Sequence, residues 1–224
     1  MTAPLLRLHD EAPDGETAVQ DTPVVVAVRR RTIDRVLIAL GAVAAVVFGV
    51  AGGLLAWGND FAGDYVHREL ASQNITFPSA EALAEEGRTD LLKYADEQVT
   101  TGPEAEAYAS YIDGHLGGIA DGATYADLGA IVGEARDAVT AAEEAGASAT
   151  EIADLEDEVA SLNAQRDSLF RGETLRGLLL STYAWGTIGQ IAGIASIVAF
   201  VAAGVMAVLV AAGLVHVARA RRTT

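Results

Sequence analysis

Apolar residues are concentrated in two long runs that contain no charged side chain. The first covers residues 36–57, and its 22 residues would reach about 33 Å as a helix, close to the roughly 30 Å hydrocarbon core of a bilayer. The second covers residues 177–218, 42 positions without Asp, Glu, Lys or Arg, and would reach about 63 Å. Because it has no central turn signal, we predict one span at its most apolar part, 191–217, preceded by an uncharged extension. The first run is longer than a signal-peptide core and follows 35 other residues, so we expect a retained anchor.

Between these runs, residues 58–190 favour helices, because helix-forming residues dominate and alternating β-branched residues are nearly absent. Turn signals at ITFPS (75–79), at TTGP (100–103) and in a glycine-rich stretch at 114–122 divide this segment. They predict four helices, which are 60–74 as a continuation of the first span, 80–99 behind the N-cap Ser79, 103–116 with Pro103 in its first turn, and 124–145.

A fifth helix has the clearest pattern. Thr150 is its expected N-cap, and its apolar residues are spaced as in a heptad seam that is interrupted at Arg166. The seam consists of Ile152, Leu155, Val159, Leu162 and Leu169. We expect it to pack inside a bundle, against helix 60–74, and the helix to continue into the second span. The predicted fold is therefore all-α, with two transmembrane helices that extend into an extracytoplasmic helical bundle.

Charge is distributed unevenly along the chain. The net charge is −16 although the mean hydropathy is +0.28, and residues 58–190 alone contain 25 acidic and 7 basic residues. Basic residues border the N-terminal end of the first run and the C-terminal end of the second. They are Arg29, Arg30, Arg31, Arg35, Arg219, Arg221 and Arg222. By the positive-inside rule, both termini are then cytoplasmic. The predicted order is a disordered cytoplasmic lead (1–35), a span (36–57), an extracytoplasmic domain (58–190), a second span (191–217) and a basic cytoplasmic tail (218–224).

This composition argues against several classes of function. Nucleic-acid binding is disfavoured because so acidic a chain repels phosphates. The absence of cysteine excludes disulfides and thiolate metal sites. Neither span has an ionisable residue near its middle, which argues against a pump or transporter. The expected contacts are the lipid bilayer and a protein partner or a second copy of the chain, without a cofactor.

Titratable residues form no recognised site. A mononuclear iron site would have to join His67 with His115, which are 48 positions apart, and no spacing motif links them. A cluster of four acidic residues lies on the fifth predicted helix and lacks the loop of an EF-hand; its members are Asp154, Glu156, Asp157 and Glu158. The sequence also contains no nucleophile elbow, zinc-protease helix or Walker loop. We therefore predict no catalytic, metal-binding or cofactor-binding residue.

Small residues recur every four positions in both apolar runs, a pattern that lets membrane helices approach closely. In the first run they are Gly41, Ala45, Gly49 and Gly53, and near the start of the second they are Gly189 and Gly193. We predict that these six residues pack helices together, either within one chain or between two.

A charged segment precedes the uncharged extension. Arg171, Glu173 and Arg176 are expected just above the bilayer, where they would contact lipid headgroups or a partner protein. We regard these three residues as the candidate contact site.

Four segments carry a resemblance to other sequences, namely QNITFP (73–78), YADEQVTTGPEAEAYASYI (94–112), GATYADLG (122–129) and LFRGETLRGLLLSTYAWGTIG (169–189). They resemble a group of uncharacterised actinobacterial two-span membrane proteins, some of which are labelled aromatic ring-opening dioxygenases. The resemblance implies an envelope location and the order span, external helical region, span. It carries no catalytic residue over to this chain.

Three functional hypotheses follow. The first is a non-enzymatic integral membrane protein of the cell envelope, whose acidic extracytoplasmic domain docks a partner or organises an assembly. The second is a ligand-sensing ectodomain that works with a separate transducer. The third is an iron-dependent ring-opening dioxygenase, which only the resemblance suggests.

Overall fold

The computed structural model describes residues 30–222, and side chains for residues 32–219. Most of the predicted lead and the end of the predicted tail therefore lie outside the described residues. Within that part every regular element is helical, which confirms the all-α prediction. The α-helices are α1 (Arg30–Gln73), α2 (Ala80–Glu85), α3 (Gly102–Leu116), α4 (Tyr125–Glu144) and α5 (Ala149–Arg222), and short 3₁₀ helices cover Thr89–Tyr94 and Ile119–Gly122.

The helices α1 and α5 form a long antiparallel hairpin. Their 44 and 74 residues correspond to lengths of about 66 Å and about 111 Å. Both contain an 18-residue window of high mean hydropathy, 2.4 in α1 and 2.7 in α5. Both are therefore long and apolar enough to cross a membrane, as predicted.

The apolar side chains of the hairpin face outward. Val43, Val46 and Leu54 of α1 and Ile194, Val201 and Val208 of α5 are all exposed. The core helix of a water-soluble protein would instead bury such residues against its neighbours. Both apolar windows are largely exposed, as a lipid-facing surface would be.

Both long helices continue beyond their apolar windows without a break. Helix α1 extends to Gln73, so the predicted continuation 60–74 is confirmed to within one residue. Helix α5 runs uninterrupted from Ala149 to Arg222, so the fifth predicted helix is continuous with the second apolar run. At this polar end of the hairpin, α2, α3 and α4 complete a small domain that we call the helical cap.

One cluster of buried side chains joins the cap to the hairpin. It combines Val66 and Leu70 of α1, Phe77 and Val99 of the connecting segments, Ala105 and Ala109 of α3, and Leu179 of α5. Phe77 stacks on Tyr94 and meets Tyr108 edge-on, both at 5.2 Å between ring centroids. Burial of these apolar groups from water stabilises the junction between cap and hairpin.

The heptad seam of α5 packs against α4 and the end of α3, and not against residues 60–74. Leu169 lies in a second buried cluster with Leu116 and Leu128, and Leu162 packs against it. The predicted partner was wrong because α1 ends at Gln73, below the level of the seam. At the gap in the heptad, the guanidinium of Arg166 lies over the ring of Tyr125, 4.3 Å from its centroid.

The start of α5 also differs from the prediction. The Ser148 hydroxyl accepts a hydrogen bond from the Glu151 amide at 3.2 Å, so Ser148 is the N-cap and Thr150 lies inside the helix. Serine and threonine both suit an N-cap position, and the hydrogen bond from the Glu151 amide identifies Ser148 as the residue that occupies it. The predicted helices 103–116 and 124–145 are confirmed as α3 and α4, each closed at its N-terminus by a capping box.

The second predicted helix, 80–99, was wrong in length. Helix α2 begins behind Ser79 as expected but ends at Glu85, because Gly87 adopts a positive φ of 72°. The Arg88 amide then donates to the Leu83 carbonyl at 2.8 Å and closes the helix. The chain returns through residues 97–99 to pair with residues 75–77, where the Val99 amide donates to the Ile75 carbonyl at 2.8 Å.

Candidate functional site

Several glycines lie where α1 and α5 pack against each other. A Cβ added at Gly52 would lie 3.0 Å from the Phe200 ring, and one at Gly41 would lie 3.0 Å from the Val210 side chain. Near the cap, a Cβ at Gly189 would lie 2.9 Å from the Cβ of Ala62, and one at Gly193 would lie 2.7 Å from Asn59 Oδ1. Three residues of the predicted small-residue set, Gly41, Gly189 and Gly193, therefore lie against the neighbouring helix of the same chain.

Two other members of that set do not share this contact, since a Cβ at Gly49 or Gly53 would meet nothing within 4 Å. Ala45 is half-buried. Sequence spacing alone missed Gly52, which is buried and packs on Phe200. The adjacent glycines 52 and 53 were a sequence signal for close helix packing, but only the position of α5 shows which of the two faces that helix.

Above the apolar windows, the hairpin has two different sides. On one side, a cavity of about 570 Å³ opens between α1, α5 and the loop before α3, and we call it the polar groove. Its lining residues are Asn59, Asp60, Gly63, Asp64, Val66, His67, Thr100, Thr101, Gly102, Pro103, Gly186, Gly189 and Gln190. This arrangement offers carboxylate and amide oxygens to a polar or cationic molecule.

On the other side, a second cavity of about 320 Å³ is mainly apolar, and we call it the apolar groove. Its lining residues are Tyr65, Glu69, Leu70, Gln73, Ile75, Leu175, Leu178, Leu179, Ser181, Thr182 and Trp185. Trp57, Phe61 and Tyr65 form a stacked row leading toward it along α1, with ring centroids 5.6 Å and 6.4 Å apart. The amphipathic pattern of α1 at 57–69 thus separates an aromatic side from an acidic side.

The three charged residues of the candidate contact site have different roles in the structure. Arg176 Nε lies 3.3 Å from Asp113 Oδ1 and so links α5 to α3, whereas its Nη1 lies 3.2 Å from Glu173 Oε2 on the same helix. Arg171 pairs with Asp167 one turn away on the same helix, and its side chain is 78% exposed. Arg171 is therefore the most exposed of the three, while the Glu173 side chain is 49% exposed and that of Arg176 34%.

The continuous helix α5 gives the distance from these residues to the predicted second span. Arg176 is 15 positions from Ile191, the predicted start of the second span, and lies about 22 Å from it along α5. A headgroup layer is only about 5–7 Å thick on each side of the hydrocarbon core. With a second span that begins at the predicted Ile191, Arg171 and Arg176 would lie above the headgroup layer.

A polar network that the sequence did not reveal ties the loop after α2 to α3. Arg88 donates from Nη1 to the Ser110 carbonyl at 2.8 Å and from Nη2 to the Ser110 hydroxyl at 2.9 Å. Its hydrogen bonds to Asp90 hold the pKa of that carboxyl below its ordinary value. Gly114 leaves room for this guanidinium, since a Cβ there would lie 3.2 Å from Arg88 Nη1. The sequence signal that could have revealed this network was an arginine, Arg88, directly after the glycine that ends α2.

The histidines considered for an iron site occupy separate surroundings. His67 lines the polar groove, whereas His115 has its Nε2 3.7 Å from Glu86 Oε2 and its Nδ1 3.1 Å from the Tyr111 carbonyl. Burial raises the pKa of Tyr111, and its hydrogen bond to Glu86 raises it further. Among the described side chains, no group of three His, Cys, Asp or Glu residues is placed to hold a metal ion.

Comparisons with known protein families, with curated protein sequences and with solved structures found no match to this chain. The resemblance to actinobacterial two-span membrane proteins therefore stays a prediction.

Proposed function

We propose that this protein is a two-span membrane protein of the cell envelope whose rigid extracytoplasmic domain docks a protein partner. The observation that carries the proposal is the α1–α5 hairpin, in which two apolar windows run side by side with their large side chains facing outward. Such a surface is stable in lipid and aggregates in water. We accordingly assign the apolar end of the hairpin to the membrane and the helical cap to the outside.

The proposed topology is supported by the direction of the two helices. Because α1 and α5 are antiparallel, Arg35 and Arg219 lie at the same end of the hairpin, where Ile38 meets Gly213. Basic residues at both membrane-proximal ends favour the cytoplasm. Both termini then lie inside the cell, and the 25 acidic residues of segment 58–190 lie outside.

The cap is suited to docking because a single helix fixes its height. Ala149 is 42 positions from Ile191 in the uninterrupted helix α5, a distance of about 63 Å. Helices α3 and α4 are held on this helix by Arg176, Leu169 and the Arg166–Tyr125 stack. A partner that binds the cap would therefore meet a surface at a constant distance from the membrane.

In vivo photocrosslinking tests the docking role. A photoreactive amino acid in place of Thr174, an exposed residue one turn below Arg171, should give a discrete crosslinked product that mass spectrometry can identify. Arg171→Glu in the same chain should remove that product. A matched reversal far from it on α5, Asp154→Lys, should leave it unchanged. Absence of any protein product from Thr174 and from further exposed cap positions would contradict the docking role.

The polar groove is the observation that favours the second hypothesis, a ligand-sensing ectodomain. Asp60 and Asp64 line it, and small organic cations are the matching class of ligand. Purified full-length protein should then melt at a higher temperature with spermidine, and the double variant Asp60→Asn, Asp64→Asn should lose the shift. Equal shifts in both proteins would remove this candidate. No contact among the described side chains favours the third hypothesis, an iron-dependent dioxygenase.

A further inference from the structure

Arg166 is the charged residue that interrupts the apolar seam of α5, at the heptad position between Leu162 and Leu169. The guanidinium is half-buried over the Tyr125 ring, and its Nε is enclosed by the protein without a hydrogen-bond partner among the described residues. No carboxylate of the described side chains lies within 4 Å of it. A partly buried charge without an acceptor lowers the stability of a core, so its presence in the seam indicates a role other than packing.

The other arginines of this domain differ from Arg166 in having acceptors. Each of them donates a hydrogen bond to a side chain or a backbone carbonyl; they are Arg88, Arg136, Arg171 and Arg176. Because segment 58–190 contains 25 acidic residues, an arginine without a carboxylate partner is unexpected there. Stacking on Tyr125 uses the face of the guanidinium and leaves the N–H groups at its edge available. Since Nε is enclosed, the donors left for an external acceptor are those of Nη1 and Nη2.

Arg166 lines a cavity of about 240 Å³ between α4 and α5, which we call the arginine pocket. Its other lining residues are Tyr125, Asn163, Asp167 and Phe170. Tyr125 and Phe170 form an aromatic wall, with ring centroids 5.8 Å apart, and the two residues are 40% and 55% exposed. Pockets for drug-sized ligands have volumes of about 300–1,000 Å³, so only a small group fits here.

The charges of the arginine pocket favour an anion. Asp167 is its acidic lining residue, and it is already paired with Arg171. Arg136 of α4 adds a second cation, since its Nη2 donates to Asn163 Oδ1 at 3.3 Å and no carboxylate of the described side chains lies within 4 Å of it. A planar carboxylate matches the paired N–H groups of a guanidinium, and the aromatic wall offers contacts to an apolar body.

We propose that the arginine pocket binds a carboxylate that carries an apolar or aromatic group, with the carboxylate on the Arg166 guanidinium and the apolar group against Phe170 and Tyr125. The inference goes beyond the proposed function, because it takes neither the membrane orientation nor a docked protein as given. It also accounts for the gap in the heptad, since an apolar residue at position 166 would complete the core and remove the site.

Ligand-observed fluorine NMR tests this site, with fluorobenzoate as the probe and the full-length protein in lipid nanodiscs. The probe signal should broaden beyond the broadening that empty nanodiscs cause, and excess benzoate should reverse the effect. Fluorobenzyl alcohol has the same ring without the charge, and it should broaden no more than with empty nanodiscs. Equal broadening of the two probes, or none for fluorobenzoate, would overturn the proposal and leave Arg166 with only its stack on Tyr125.

Arg166→Leu is the decisive variant, because it completes the apolar seam. It should bind fluorobenzoate at least about tenfold more weakly, while the melting temperature stays the same or rises. Arg176→Gln is the matched control, since Arg176 lies further along α5 outside the pocket and is paired with Asp113. The control should bind the probe like the wild-type protein. Binding by Arg166→Leu that equals that of the wild type would contradict the assignment.

A second variant keeps the test valid if Arg166→Leu does not fold. Phe170→Ala changes an exposed part of the aromatic wall, so circular dichroism should show unchanged helix content. Its binding of fluorobenzoate should weaken severalfold, because the apolar group of the ligand loses a contact. Full binding by a folded Phe170→Ala variant would argue against this pocket.

Two sources can supply such a carboxylate, a free acid and an acidic side chain or C-terminus of another protein. Photocrosslinking from Thr174, one turn from Phe170 on α5, separates them. If excess benzoate suppresses a protein product, a partner supplies the carboxylate, and a product that persists assigns the pocket to a free acid. Either result supports the site. Failure of the proposed function is separate, because it would leave binding of fluorobenzoate to the purified protein unchanged.

Discussion

The two ends of α5 pack against their neighbours by different means. In its apolar half, contacts with α1 are made where Gly52 and Gly213 allow Phe200 and Ile38 to approach, while most large side chains point outward. In its polar half, Leu169 meets the fully buried Leu128 and the end of α3. Water drives apolar groups inward, whereas in lipid close backbone contact must supply the attraction. The packing of the apolar half is therefore of the kind expected in lipid, and that of the polar half is of the kind expected in water.

The largest expected effect comes from the half that faces water. Leu128→Ala removes a side chain that is 1% exposed, and it should lower the free energy of unfolding of the cap by about 2–5 kcal/mol. Ile131→Ala, one turn further along α4 and 41% exposed, is the control and should change it far less. Equal losses in thermal melts of the two variants would contradict the assignment of the core.

A smaller effect is expected in the half assigned to lipid, and it depends on which glycine is changed. Gly52→Leu would collide with the Phe200 ring and should destabilise the hairpin by about 1–3 kcal/mol, measured by SDS-induced unfolding in mixed micelles. The neighbouring Gly53→Leu has open space around its Cβ and should be nearly neutral. A reversed order of the two variants would show that the helices face each other differently.

The N-cap of α4 should contribute a smaller amount to the stability of the helical cap, and that contribution should depend on pH. Thr124→Ala removes the N-cap of α4 and should cost about 0.5–2 kcal/mol near neutral pH. Hydrogen bonds from Thr124 lower the pKa of Asp127, so this stabilisation is present above the ordinary aspartate pKa and is lost as the pH falls through the lowered value. Part of the difference in melting temperature between the two proteins should therefore be lost in acid, and a constant difference would contradict the hydrogen bond from the Thr124 hydroxyl to the Asp127 carboxylate.

The smallest effect is expected from the ion pair that links α3 to α5. Arg176 is about one-third exposed, and Arg176→Gln should cost about 0.2–1 kcal/mol in the stability of the cap. Arg171→Gln, whose pair with Asp167 lies within one exposed helix, is the control and should be close to neutral. A larger loss from Arg171→Gln would mean that the Arg171 side chain has a partner in the assembly.

The pattern of residues was sufficient for the helical elements but not for their partners. Pro103, Thr124 and the uncharged runs placed α3, α4 and the two long helices because each acts through its own neighbours in the chain. The end of α2 depends on a positive φ at Gly87, and a single glycine among helix-forming residues did not predict that conformation. The partner of the heptad seam and the role of Gly52 depend on where distant helices lie, and spacing within one helix carries no such information.

The candidate site shows the same limit. Its charged residues were found from the sequence, but Arg176 turned out to face Asp113 while Arg171 faces solvent. The apolar groove was only partly visible, as an uncharged extension without an assigned neighbour. The groove is recognisable only in the structure, because Tyr65 of α1 and Trp185 of α5 line it together.

Cysteine labelling in intact cells tests the membrane assignment of the hairpin most directly. The protein has no cysteine, so Ala145→Cys at the exposed end of α4 and Thr223→Cys beyond α5 each introduce a single reactive thiol. With a membrane-impermeant maleimide, Ala145→Cys should be labelled at once and Thr223→Cys only after the cells are permeabilised. Labelling of Thr223→Cys in intact cells, or protection of Ala145→Cys, would contradict an external cap on a two-span hairpin.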